Sequence, residues 1–170
     1  MNIEERLRLQ YDSLFRAVEF TKAADSKATP VLGLHTLLVS TLAVLSEPLF
    51  TVLGEEPWDV ERIFVLVLLV IYVSLAVSAL TLASRVFLPI NPHTGKSLIY
   101  FQDIAAMRFE EFKEISVTLD TRSIEEQLIG QVFQVSKVAS KKMYRVRWAF
   151  ILTGPTGVLW LTLVAYLGIQ

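Results

Sequence analysis

Three stretches without a single charged residue divide the chain, at positions 28–46, 63–84 and 148–169. A helix rises about 1.5 Å per residue, so each run comes close to or exceeds the roughly 30 Å of a bilayer's hydrocarbon core. The pattern predicts three transmembrane helices. Ahead of the first, Ile3, Leu7, Leu14, Phe15 and Val18 recur at helical spacing while Arg6, Arg8, Asp12, Arg16 and Glu19 fall largely elsewhere, which predicts an amphipathic helix leading into the membrane. Pro30 lies just inside the first run, where it opens a new helix or kinks a continuous one, so a bend is expected near residues 25–30. After the second run the Pro, Asn and Gly of residues 88–97 mark a loop. Leu98, Phe101, Ala105, Phe109, Phe112, Ile115 and Leu119 then predict a helix with one buried stripe. A break is expected at Asp120-Thr121-Arg122, followed by a capping box of Ser123 with Glu126. From there Ile124, Leu128, Gln131, Val135, Val138, Lys142 and Val146 continue a stripe, and no Gly or Pro interrupts residues 131–150. One helix should therefore run from outside the membrane into the third span, with a kink at Pro155.

These elements describe an all-α membrane protein with three transmembrane helices and a juxtamembrane cytoplasmic helical bundle. Residues 1–170 form one integrated unit, with a cytoplasmic amphipathic helix at 1–27, spans at 28–46, 63–84 and 148–169, and a cytoplasmic helical region at 85–147. The stripes outside the membrane are too narrow to be stable singly and should pack together. Composition agrees: 53% of residues are hydrophobic and the mean hydropathy is +0.49. The polar, charged first 27 residues argue against a signal peptide. Charge sets the orientation. Arg6, Arg8, Arg16, Lys22 and Lys27 precede the first run, Arg62 alone separates the first two, and the other ten basic residues lie in 85–147. By the positive-inside rule the N-terminus and residues 85–147 face the cytoplasm and the C-terminus faces outward.

The same sequence excludes several kinds of chemistry. With no cysteine there is no disulfide, thiolate metal site or cysteine nucleophile, and a net charge of −1 argues against nucleic acid as a partner. His35 and His93 are isolated, without carboxylates at ligand spacing, so no metal site is expected. Gly95-Lys96-Ser97 resembles the end of a phosphate-binding loop, but Ile90 stands where that loop needs its first glycine, which rejects a Walker A site. A weaker possibility is one phosphate held by Lys96 and amides near Ser97, against an ordinary helix cap. Asp25 flanks the membrane entrance, where an anionic leaflet does not favour it, and a partner such as Lys137, Lys141 or Lys142 would explain it. Lys27 fits a lysine snorkelling to the headgroups. No nucleophile with a base, carboxylate pair or cofactor motif is present, so neither an enzyme nor a bound cofactor is expected.

Three segments carry a family likeness. Ala24-Asp25-Ser26-Lys27-Ala28 enters the first span, Leu98-Ile99-Tyr100-Phe101-Gln102-Asp103-Ile104 opens the second cytoplasmic helix, and Gln131, Ser136, Lys137, Ala139 and Lys141-Lys142 lie along the third. In that order around three spans, the chain resembles the PycTM-type membrane effectors of bacterial anti-phage defence, the Pycsar effector family. The resemblance implies an abortive-infection effector of the bacterial inner membrane. In such a system a partner cyclase makes a cyclic pyrimidine mononucleotide, cUMP or cCMP, and the effector responds by impairing the membrane. The candidate ligand-binding or coupling residues are Asp25, Lys27, Lys96, Tyr100, Asp103, Gln131, Lys137, Lys141 and Lys142. The expected partners are the lipid bilayer, the cyclic nucleotide and further copies of the chain, since three helices offer too little wall for an aqueous path. The competing reading is a constitutive membrane scaffold without a small-molecule ligand.

Overall fold

A computed structural model describes residues 2–44, 46–54, 59–88 and 97–168, apart from the side chains at positions 48 and 52. Its elements are all helical: α1 (Ile3–Val44), α2 (Ser46–Gly54), α3 (Val60–Phe87), α4 (Phe101–Ala106), α5 (Phe109–Thr118) and α6 (Thr121–Leu167). Three of them, α1, α3 and α6, are long and apolar enough to cross a membrane. The protein is an all-α membrane protein.

Helix starts follow from side chains that take up the free amides of the first turn. At α1 the bonds are reciprocal: Glu5 N donates to Asn2 Oδ1 at 2.8 Å and Asn2 N to Glu5 Oε2 at 2.9 Å. Asp59 caps α3 by accepting from Arg62 N at 2.9 Å. At α6 the cap is Asp120, whose Oδ1 accepts from Ser123 N at 3.0 Å, and this corrects the expected box built on Ser123. With the helix beginning at Thr121, Ser123 is already inside the first turn, and Glu126 accepts from Arg122 at 3.2 Å instead.

Pro30 and Pro155 both sit within continuous helices, so the first leads to no separate helix. The stripe expected over residues 98–119 is corrected twice. Met107 and Arg108 are extended, with ψ of 153° and 152°, and split it into α4 and α5. Phe101 and Phe109 are exposed, and α5 buries no residue. Nothing in the sequence at Met107-Arg108 explains the break. A further short helix, α2, follows the first span, where the charge-free pattern marks no element.

The chain divides into two compact units, Met1–Ala24 with Pro89–Met143, and Asp25–Leu88 with Tyr144–Gln170. In the first unit the buried positions are Ala17, Ala24, Ser97, Tyr100, Asp103, Leu128, Ala139 and Lys142. Arg6 pairs with Glu125 at 2.8 Å. The face of α1 toward this interior is alanine, and Phe15, expected on the buried side, is exposed. Alanines permit a close helix approach that phenylalanines would prevent.

In the second unit Leu49, Val65, Tyr72, Leu163 and Leu167 form one cluster, and Val31, Ala83 and Ala149 another. Tyr166 donates to Glu61 at 2.8 Å and Arg145 Nη1 to the Arg85 carbonyl at 2.6 Å. Several hydroxyls on exposed faces bond back to their own helix: Thr36 to Leu32 O at 2.9 Å, Ser40 to Thr36 O at 2.8 Å, Ser74 to Val70 O and Ser78 to Ser74 O, both at 2.7 Å.

Candidate functional site

Two of the candidates, Tyr100 and Asp103, belong to a polar node in the first unit. Asp103 is only 4% exposed although it is a carboxylate, and burial of that kind requires donors. One is the Ser97 amide, 3.1 Å from its Oδ2. The Ser97 hydroxyl oxygen accepts from Ile99 N at 3.1 Å and Tyr100 N at 3.3 Å, while its hydrogen points to Gln127 Oε1 at 3.3 Å. The same Gln127 oxygen accepts from Leu98 N at 2.9 Å. Tyr100 itself precedes α4, and its hydroxyl donates to Gln102 Oε1 at 2.9 Å.

The node therefore engages all four successive amides from Ser97 to Tyr100 with side-chain acceptors of the chain itself. That arrangement has a chemical consequence. An amide already bonded to a carboxyl, an amide oxygen or a hydroxyl is engaged within the chain itself. The amides of residues 97–100 thus form a clamp that fixes this segment against α4 and α6. Lys96, and with it His93 and the Gly95-Lys96 dipeptide, lies outside the described residues. Gln127, the residue that makes the clamp long-range, has no local signal in the sequence, because its partners are about thirty positions away.

The other candidates are distributed along α1 and α6. Asp25 is half-buried and Lys27 exposed. On α6 Gln131 is half-buried, Lys137 and Lys141 are exposed, and Lys142 is buried at 8% exposure, so the Lys141-Lys142 pair does not act as one cationic patch. Lys137 carries its ammonium 4.2 Å above the centre of the Phe133 ring, a cation–π contact between i and i+4 on the same helix face.

At membrane depth, His35 is 0% exposed. Its Nδ1 lies 2.9 Å from the Val31 carbonyl, which only accepts, so that nitrogen supplies the hydrogen of this bond. Among the described residues His35 Nε2 has no partner and no group of residues is arranged to hold a metal ion.

Outside the membrane-spanning segments, Asp120 shows a displaced acidity. Hydrogen bonds from the side chain and then the backbone of Ser123 hold its carboxyl below the ordinary carboxylate range. This is helix-cap chemistry rather than catalysis.

The family model described as the Pycsar effector protein domain matches residues 10–169. No curated protein and no solved structure matches the chain.

Proposed function

The chain belongs to the Pycsar effector family, whose members are effectors of anti-phage defence, and from that membership we propose that it answers a cyclic pyrimidine mononucleotide, cUMP or cCMP, by impairing the bacterial inner membrane. The observation that carries this reading is the extent of the match, which runs through the helical unit outside the charge-free runs as well as through the three spans. Loss of membrane integrity then removes the infected cell before phage spreads. The protein acts without catalysing a reaction, and it acts as an assembly of copies, because three helices enclose too little space for water or ions on their own.

Orientation is part of the proposal. With the basic residues concentrated in the first 27 positions and in 85–147, the N-terminus and the helical unit lie in the cytoplasm, where a nucleotide signal is made. Cysteines introduced at Glu56 and Lys113 should label from opposite sides of the membrane in intact cells. Labelling of both from the periplasmic side overturns the orientation.

The decisive functional test is reconstitution. Purified protein in liposomes should release a trapped dye when cUMP or cCMP is added, with a steep dependence on protein density. Binding without release at any density removes membrane impairment from this chain, and release independent of nucleotide removes the sensor.

A further inference from the structure

In the first unit α1 and α6 leave a groove of about 280 Å³ between them, lined by Ser13, Arg16, Ala17 and Phe20 from α1 and by Ser136 and Ala139 from α6. The spacing accounts for the arrangement. Positions 13, 16, 17 and 20 lie on one side of a helix, as do 136 and 139. Ala17 and Ala139, both buried, form the floor, and their small side chains create the depression. The volume falls just below that of small-ligand sites, which begin near roughly 300 Å³, and the groove is open, so a small ligand would be only partly covered in it.

The lining has a consistent chemistry. Arg16 makes no ion pair or hydrogen bond among the described residues, since neighbouring Glu19 pairs with Lys22 at 2.9 Å. A free guanidinium is a fitting partner for a phosphodiester. Phe20 remains 59% exposed outside the charge-free runs, where water does not favour it, and offers a ring face on which a base can stack. The Ser13 hydroxyl donates to the Leu9 carbonyl at 2.8 Å and so keeps an acceptor for ribose or base, and Ser136 supplies a second hydroxyl on the opposite wall. No carboxylate lines the groove.

Resting on the nucleotide response proposed above, we propose that this groove is where the cyclic pyrimidine nucleotide binds, with Arg16 on its phosphodiester and Phe20 against its base. The site differs from the motif residues that carry the family likeness, of which it includes only Ser136 and Ala139. It lies on the two helices that continue into spans, so that occupancy acts directly on the elements embedded in the membrane.

The experiment measures equilibrium binding of cUMP and cCMP to the full chain in nanodiscs, with helix content checked by circular dichroism. Arg16→Gln should weaken binding about tenfold or more, and Phe20→Leu about tenfold. Ser136→Leu, which fills the groove from an exposed wall position, should abolish it, while Lys113→Gln, a change of the same charge on α5, should bind as the unaltered protein does. If the unaltered protein binds and all three groove variants match it, the groove is overturned and the nucleotide response stands. If Lys113→Gln loses as much as Arg16→Gln, attraction by general positive charge replaces the site. If the unaltered protein binds neither nucleotide, both the site and the proposed response fail.

Discussion

The two units differ in how many polar groups they bury and in what surrounds the apolar residues they expose. In the unit of Met1–Ala24 and Pro89–Met143 the interior holds Ser97, Asp103 and Lys142 beside Ala17, Ala24, Tyr100, Leu128 and Ala139, and phenylalanines such as Phe15, Phe20, Phe101 and Phe109 stand outside. In the unit of Asp25–Leu88 and Tyr144–Gln170 the interior is, among the described residues, aliphatic and aromatic except for His35 and Thr156, and the exposed residues include Val, Ile and Leu together with Phe64, Trp148 and Phe150. An exposed valine in a span is solvated by acyl chains, whereas an exposed phenylalanine outside it faces water. Similar exposure thus carries opposite meanings. In the second unit it matches the surroundings, and in the first it marks surface that gains from being covered.

The sharpest way to break the comparison is to place the same charge at an exposed apolar position in each unit. Val77 is 55% exposed and Phe109 is 72% exposed. Val77→Asp should lower membrane insertion of α3 by about 2.5 to 3.5 kcal/mol, while Phe109→Asp should change stability by no more than about 0.5 kcal/mol. A glycosylation-mapping insertion assay with thermal unfolding in detergent reads both. Equal, small effects at the two sites would show that α3 does not face lipid.

A smaller effect tests how much the first unit depends on polar bonds. Gln127→Ala removes the shared acceptor of Leu98 N and the Ser97 hydroxyl and should cost about 1 kcal/mol, since both bonds are only partly buried. Hydrogen exchange should accelerate at Leu98 and leave the amides around Tyr72 unchanged. Acceleration spread evenly over both units would merge them into one cooperative body.

Much of this was legible in the sequence, for reasons that differ by element. The spans could be read because a charge is so unfavourable in a bilayer that its absence over 20 residues or so is a strong signal. The long α6 could be read because nothing between Gln131 and Phe150 interrupts it, and Leu128, Lys142 and Val146 of its stripe are indeed buried. The stripes of α1 and of residues 98–119 hold in part, with Leu7, Leu14, Val18, Phe112, Ile115 and Leu119 half-buried but Phe15, Phe101 and Phe109 exposed, because periodicity assigns every large apolar residue to the interior. Here closeness of approach decides, and Ala17 and Ala24 take the places inside. The ends of helices were ambiguous for a local reason: Asp120 and Ser123 both suit a cap, and only the position of Thr121 as first helical residue selects between them. Tyr100 and Asp103 were visible as polar residues at a helix start, but Gln127 was not, since it acts on a segment remote in sequence. The Arg16–Phe20 groove was hidden for the same reason, because its other wall comes from α6.

The smallest effect concerns that cap. Asp120→Ala removes the acceptor for Ser123 N and should loosen the first turn of α6 at neutral pH, read as faster amide exchange at Ser123. The Asp120 carboxyl titrates below its unfolded value, so its contribution is complete above the ordinary carboxylate range and is lost as pH falls through the lowered value. The difference between Asp120→Ala and the unaltered protein should therefore vanish at strongly acid pH. A difference that grows on acidification would contradict the assignment.

The back-bonded hydroxyls on the outer faces of α1 and α3 make those faces indifferent to who their neighbour is. Thr36, Ser40, Ser74 and Ser78 each direct the hydroxyl hydrogen to a carbonyl one turn earlier, so none requires an acceptor from outside. Exchanging a lipid tail for another helix breaks no hydrogen bond and demands none. The outer faces of α1 and α3 can thus meet a lipid tail or a helix without rewiring, and contour alone decides between the two.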